Sequence, residues 1–335
     1  MKNFLIILTI FVISATKIEA EDSFSGNIES KRFCPPSNSS TCQYVPFYVV
    51  SDSTKIQSDN YEITSAKRDE NVKGFKFFYD GDGLNPNVEF LPIKLSQFFP
   101  KLMFYKVNYQ GIKSIKKVNF EGLTSLENLE LKDNEIVEIA PGTFDDLYQL
   151  RSLNLFNNKL KKIDEFLLKN NQKLLSIDIS MNQISELAPK TFENQQELKE
   201  LSIWSCGLLA IDENLFKNLN KLEELDLRYN EFWQLPVEVF NGLKNVKFIN
   251  LSKNKITYLD ERIFNENKNL EKISLYQNRI HALSSKTFDG LKKLIIIDLG
   301  WNKCIDKRYG SWDKDELLSQ SKINEMKTDL DRDCK

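Results

Sequence analysis

A 24-residue period runs through most of this chain and leaves few folds open to it. It is clearest at 222–245, LEELDLRYNEFWQLPVEVFNGLKN. Leu222, Leu225 and Leu227 alternate as one strand face, Asn230 follows, and Phe232, Leu235, Phe240 and Leu243 close the unit. The same pattern begins at 102, 126, 150, 174, 198, 222, 246, 270 and 294, nine starts with no change of spacing. A unit this short cannot bury its apolar face alone, so stacked copies must share a core. The period therefore predicts an α/β solenoid, with one short strand per coil paired in parallel with the next.

Each row of the period has a physical reading. The apolar residues Leu126, Leu129 and Leu131, and so on to Leu294, Ile297 and Leu299, alternate because a pleated strand buries every second side chain. A second apolar pair turns the chain, from Ile136 and Ile139 to Ile280 and Leu283. Phe120, Phe144, Phe192, Phe216, Phe240, Phe264 and Phe288 anchor the return side, with Leu168 in that place once. Asn171, Gln195 and Asn267 replace the last leucine of their units, which predicts weaker packing there. Asn134, Asn158, Asn182, Asn230, Asn254, Asn278 and Asn302 recur where the chain turns inward, with Gln110 in the equivalent place. Buried backbone groups need partners, and a carboxamide both donates and accepts. These residues are expected to stack as a ladder. Cys206 falls in the same row and reads as a buried thiol standing in for asparagine.

The ends depart from the period. Residues 1–20 carry Lys2, an apolar run over 4–15 and a small-residue context at Ile18-Glu19-Ala20. Twelve apolar residues are too few to span a bilayer, which needs about 20, so this stretch reads as a signal peptide. No later run reaches that length, and the polar tail DLDRDCK lacks a lipid-anchor signal. Residues 21–71 are expected to form a flexible start and an N-terminal cap. Residues 72–303 are the solenoid, with an irregular first repeat at 72–101, and residues 304–335 are a C-terminal cap. Export permits disulfides. Cys34, Cys42, Cys304 and Cys334 allow three pairings; separation by the whole repeat region leaves Cys34–Cys42 and Cys304–Cys334. Asn38-Ser39-Ser40 and Asn250-Leu251-Ser252 are glycosylation sequons.

With its F-x-x-L endings, the repeat resembles extracellular leucine-rich repeat proteins such as Toll-type ectodomains and small matrix proteoglycans. The irregular first repeat and the closing NKCIDK resemble secreted insect proteins of that family, including mosquito immune ones. The resemblance covers roughly 72–334. It implies a curved horseshoe with a parallel sheet on its concave face, used to bind another macromolecule. Three features depart from the family: no membrane segment or signalling domain follows, no heptad-bearing extension supports a coiled-coil dimer, and a cysteine interrupts the ladder.

Catalysis has little to work with. The single histidine, His281, reads as a surface residue, and there is no phosphate-cradling glycine loop, CxxC or HExxH. The chain is read as a non-enzyme without cofactor or metal. Its formal net charge of −2 is too near balance to suggest a nucleic-acid partner. Binding is better supplied. Phe156, Trp204, Tyr229, Arg228, Phe248 and Tyr276 are expected on the outward strand face, as partner-binding residues. Phe104 and Trp301 are expected to touch the caps. Carboxylates such as Asp178, Glu200, Glu224 and Asp226 dominate the earlier coils. Cations such as Lys253, Lys255, Lys272, Arg279 and Lys303 dominate the last three. The chain is thus expected to be secreted, without a membrane anchor, and to recognise an extracellular protein in immunity or cell-surface contact. A microbial glycan or lipid ligand, or a matrix role, stays open, as does the oligomeric state.

Overall fold

The computed structural model describes residues 72–77 and 89–335, together with the backbone of four strands, β1 (Ile7–Ile13), β2 (Ser23–Phe33), β3 (Gln43–Val50) and β4 (Glu62–Ile63). Cys34, Cys42 and Asn38, with the pairing and the sequon expected there, lie outside the described residues, as does most of the segment read as a leader. The chain divides into two compact units, Met1–Leu160 with Phe166–Ser176, and Lys161–Glu165 with Ile177–Lys335.

In the first unit a parallel ladder runs from β3 through β5 (Gly74–Phe77), β6 (Phe104–Lys106) and β7 (Asn128–Glu130) to β8 (Ser152–Asn154). A one-turn helix, α1 (Leu95–Phe98), lies between β5 and β6. Tyr105 pairs with Leu129, and Leu129 with Leu153. Tyr105 takes a leucine's place and is fully buried against Phe75 and Phe120, at ring distances of 5.3 and 6.0 Å. Its hydroxyl has no hydrogen-bond partner, and burial holds its pKa well above the usual tyrosine value.

β9 (Ser176–Asp178) falls where the sequence passes from the first unit to the second. The second unit continues with β10 (Glu200–Ser202), β11 (Glu224–Asp226), β12 (Phe248–Asn250), β13 (Lys272–Ser274) and β14 (Ile296–Asp298), all parallel. Leu201, Leu225, Ile249, Ile273 and Ile297 stand opposite one another in turn. Such register follows from the unbroken period: a slip of one residue would turn every leucine to solvent. Both units are thus parallel-sheet solenoids of 24-residue coils. On the return side Phe240, Phe264 and Phe288 stack at 5.8 and 6.3 Å.

Side chains complete the turns. Asn134 Oδ1 accepts from the amides of Gln110 and Ile112, and its Nδ2 donates to the carbonyls of Val107 and Leu131. Asn230 repeats this toward Cys206 and Leu208, and toward Ile203 and Leu227. Cys206, 3% exposed, donates its thiol to the Ile179 carbonyl at 3.3 Å. Burial pushes that thiol's pKa up to about 12, far from the reactive range.

The packing expected to weaken at Asn171 and Asn267 is replaced rather than lost. Both are completely buried. Asn171 Nδ2 donates to the carbonyls of Phe144 and Leu147, and Asn267 Nδ2 to those of Phe240 and Leu243. Each amide thus ties its coil to the preceding one, where leucine would only pack.

The second unit closes with an antiparallel strand, β15 (Arg308–Gly310), on β14, and a helix, α2 (Gln320–Asp333). The Ser319 hydroxyl caps α2 by accepting from the Lys322 amide. Met326 and Leu330 bury against the unit, whereas Leu317, before the helix, is 62% exposed. A Cys304–Cys334 disulfide, Cα atoms 5.0 Å apart, ties β15 and α2 to the last coil. In the chain-entropy account, closing a loop of this length contributes about 3–4 kcal/mol. The Tyr309 hydroxyl and Lys307 both donate to Asp329, at 2.6 and 2.7 Å, and hold that carboxyl below its usual pKa.

Candidate functional site

The residues after each strand form a row with a shared backbone geometry. Tyr109, Asp133, Asn157, Met181, Ser205, Tyr229, Lys253, Gln277 and Trp301 recur every 24 residues and all have φ between 51° and 58°. This left-handed conformation costs a non-glycine residue roughly 1–2 kcal/mol. It is fixed from both sides: the next residue is the ladder position, and the row's amides donate to the following coil. Tyr229 N, for example, binds Ser252 O and Lys253 N binds Tyr276 O. Side chains in this row are therefore held by backbone that cannot easily relax.

In the second unit the row and its neighbour assemble four of the largest polar-tipped side chains. The Arg228 guanidinium lies 4.9 Å over the Trp204 ring, and the Trp204 and Tyr229 rings are 6.5 Å apart. Lys253 lies 4.3 Å over the Tyr229 ring and also donates to the Tyr229 hydroxyl. Asp226 braces Arg228, accepting from its backbone amide at 3.1 Å and standing 3.2 Å from Nε as an ion pair. Nε lacks hydrogen-bond geometry in that pair. Burial, opposed by the Arg228 contacts, raises the Asp226 pKa. Tyr229 is 47% exposed, while Trp204 and Arg228 are half-buried. Stacked cations and aromatics of this kind favour contact with a partner, because their rings are already ordered and cover much area.

Several expected residues lie elsewhere. Phe156 is half-buried in the first unit. Phe248 is not open: Trp312, from the segment after β15, meets its ring at 5.7 Å, and Asp315 of that segment pairs with Lys272 at 3.2 Å. The chain's own end thus covers the sheet face at β12 and β13. Tyr276 is half-buried beside Trp301, 6.4 Å between rings. Trp301 is 65% exposed, though its amide donates to Asp306 of the C-terminal cap, and Phe104 is buried. Strand alternation directs Asn250, the first residue of a sequon, away from the core, yet it is 7% exposed, with Oδ1 accepting from the Ser252 amide and hydroxyl. Its carboxamide oxygen is thus engaged within its own coil. Asn154, Asp178, Asp226 and Asp298 share that place, and each accepts from the amide two residues on. Much of the polar sheet face therefore serves its own backbone.

The charge asymmetry is partly consumed by pairing. Asp298 binds Arg308 at 2.8 Å, and Lys255 pairs with Glu231. His281 is exposed, and among the described residues no group of histidines, cysteines and carboxylates is placed to hold a metal. No helix among them is long and apolar enough to cross a membrane.

Comparison with known proteins agrees with this architecture. The leucine rich repeat family matches residues 100–160, 196–256, 221–275 and 249–303. A curated relative, the Rattus norvegicus leucine-rich repeat-containing G-protein coupled receptor 5, is 34% identical over 70 residues, 21% of this chain and 8% of that protein. Among solved structures, a TLR13–ssRNA13 complex is 28% identical with a TM-score of 0.60, covering 70% of this chain and 32% of that one. The glycosylated Drosophila Toll–Spatzle complex gives 24% identity and a TM-score of 0.65, covering 70% and 31%. A latrophilin 3, Unc5D and FLRT2 complex gives 18% and 0.61, covering 81% and 83%. The last two likenesses concern the fold alone. This chain spans about a third of the Toll-type chains and a small part of the receptor.

Proposed function

The chain belongs to the leucine-rich repeat family, and from that premise we propose that it is a secreted protein that binds another extracellular protein. Trp204, Arg228 and Tyr229 are the centre of the contact. The observation that carries this reading is the ordered stack of Trp204, Arg228, Tyr229 and Lys253 on the sheet face of the second unit. The partners seen in similar solved structures support it: Spatzle with Toll, latrophilin 3 and Unc5D with FLRT2. The reading contains no enzymatic step. The ssRNA in the TLR13 complex raises nucleic acid as a ligand class, but a phosphate backbone needs uncompensated cations. Here Asp178, Glu200, Glu224 and Asp226 occupy the strands beside the stack.

The test is a screen of extracellular ectodomains by biolayer interferometry, repeated with a Trp204→Ala, Tyr229→Ala double variant. Removing two central aromatics is expected to cost about 2–4 kcal/mol of binding, a loss of about thirtyfold or more. A partner bound equally by the double variant would remove these residues from the site. Amino-terminal sequencing of protein recovered from insect-cell medium tests the leader, with cleavage expected after Ala20.

A further inference from the structure

The sheet face of the second unit carries another aromatic group, one coil beyond the segment that covers Phe248. Trp301 is 65% exposed, yet its backbone is tightly held. It has φ 57°, and its amide donates to Asp306 Oδ1 at 2.6 Å. Its ring leans on Tyr276, and the preceding residue makes space for that contact. A Cβ on Gly300 would lie 3.1 Å from the Tyr276 ring, so a larger residue would push the tyrosine away. A tryptophan 65% exposed in a left-handed turn, where glycine or asparagine would be less strained, is a local cost that its one ring contact on Tyr276 offsets only in part in the free protein.

Cations border this shelf. Glu231, Lys255, Arg279 and Lys303 occupy one place in four successive coils. Their backbones are bonded in register, as from Lys255 to Phe232, Arg279 to Ile256 and Lys303 to Ile280. Neighbouring members are therefore separated by about one strand spacing, roughly 4.8 Å. Glu231 neutralises Lys255, whereas Arg279 and Lys303 are exposed and have no ion pair among the described residues. The carboxylates close in sequence are committed: Asp298 to Arg308 and the Gly300 amide, Asp306 to the Trp301 amide.

We propose that Trp301, Tyr276, Arg279 and Lys303 form a docking point for an acidic polypeptide segment bearing an apolar or aromatic residue that covers Trp301. The ring is ordered before binding, so little side-chain entropy is lost on contact. The two free cations select negative charge and speed encounter. Two cations are few for a polyanion charged at every residue, whose affinity grows with the number of charges neutralised. A polypeptide alternating acid and ring fits the shelf better. This docking point extends the binding reading above but stands on different residues.

The experiment is fluorescence anisotropy of the whole chain with a labelled glutamate–tyrosine random copolymer, with polyglutamate, heparin and oligo(dT) as competitors. The copolymer is expected to bind more tightly than the other three. Arg279→Glu with Lys303→Glu should weaken it about tenfold, and Trp301→Gly about fivefold or more. Glycine relaxes the left-handed turn, and a thermal midpoint matching wild type separates a lost contact from a lost fold. Trp204→Ala with Tyr229→Ala should leave copolymer binding unchanged. The proposal is overturned if the wild-type chain ignores the copolymer, or if Trp301→Gly binds it equally. It is also overturned if heparin or oligo(dT) binds more tightly, or if the Trp204 and Tyr229 variant abolishes the signal.

Discussion

Two adjacent rows of the solenoid obey opposite rules. At the ladder position the side chain is asparagine in seven coils, with Gln110 and Cys206 in the other two. One residue earlier, under the same left-handed backbone, stand tyrosine, aspartate, asparagine, methionine, serine, lysine, glutamine and tryptophan. The ladder row faces buried amides and carbonyls that no water reaches, so its chemistry is dictated by the backbone. In the earlier row the backbone is satisfied by the following coil, and the side chain is free to vary. Where the second row carries large aromatics and cations, as at Tyr229, Lys253 and Trp301, nothing in the coil's own packing asks for them. Their presence fits the partner contact proposed above.

The largest expected break in this contrast is at residues 229 and 230. Asn230→Ala removes the acceptor for the amides of Cys206 and Leu208, and the donor to the carbonyls of Ile203 and Leu227. Leaving buried groups unpaired costs about 1–3 kcal/mol each and sums incompletely, so about 3 kcal/mol or more should be lost. Tyr229→Ala, next door, should cost less than about 0.5 kcal/mol. Urea unfolding followed by circular dichroism separates the two. Equal losses would mean that the exposed row also holds the fold.

Cys206 lets the ladder be sharpened rather than broken. The thiol has a single weak donor, near the Ile179 and Trp204 carbonyls, and a weak sulfur acceptor toward the Asn182 amide, where an asparagine would offer two N–H donors and a stronger oxygen acceptor. Asn182 and Asn230, in the coils on either side, already occupy the same place. Cys206→Asn is expected to gain about 1–2 kcal/mol, read as a higher urea midpoint at unchanged slope. A loss would show that this coil has closed around the smaller sulfur.

The same contrast explains what could be read from the sequence. An interval that never varies fixes register, so Leu225, Ile249, Ile273 and Ile297 could be placed opposite one another without coordinates. Outward positions on the strands were equally legible, because alternation assigns them. Their occupancy was not. Trp312 reaches Phe248 from a segment with no period, so nothing in the repeat announced that part of the face is covered. Asn250 looked like an exposed sequon because the pattern gives its direction but not its bond to Ser252. Asn171 and Asn267 looked like missing leucines because a hydrophobic count cannot register amides bonded to the preceding coil. The left-handed row itself left no glycine signature, since none of its nine members is glycine.

That absence of glycine supplies the smallest test. Met181 has φ 52°, and its amide donates to the Trp204 carbonyl at 2.8 Å. A long side chain has no preference for this conformation, whereas asparagine tolerates it, and Asn157 holds it in this chain. Met181→Asn should therefore stabilise the protein by about 0.5–1 kcal/mol, raising the thermal midpoint by a degree or more. If the backbone alone sets the row, Trp301→Asn should gain a similar amount while losing the docking surface. A gain at Met181 with a loss at Trp301 would show that packing of the tryptophan on Tyr276 contributes to the fold.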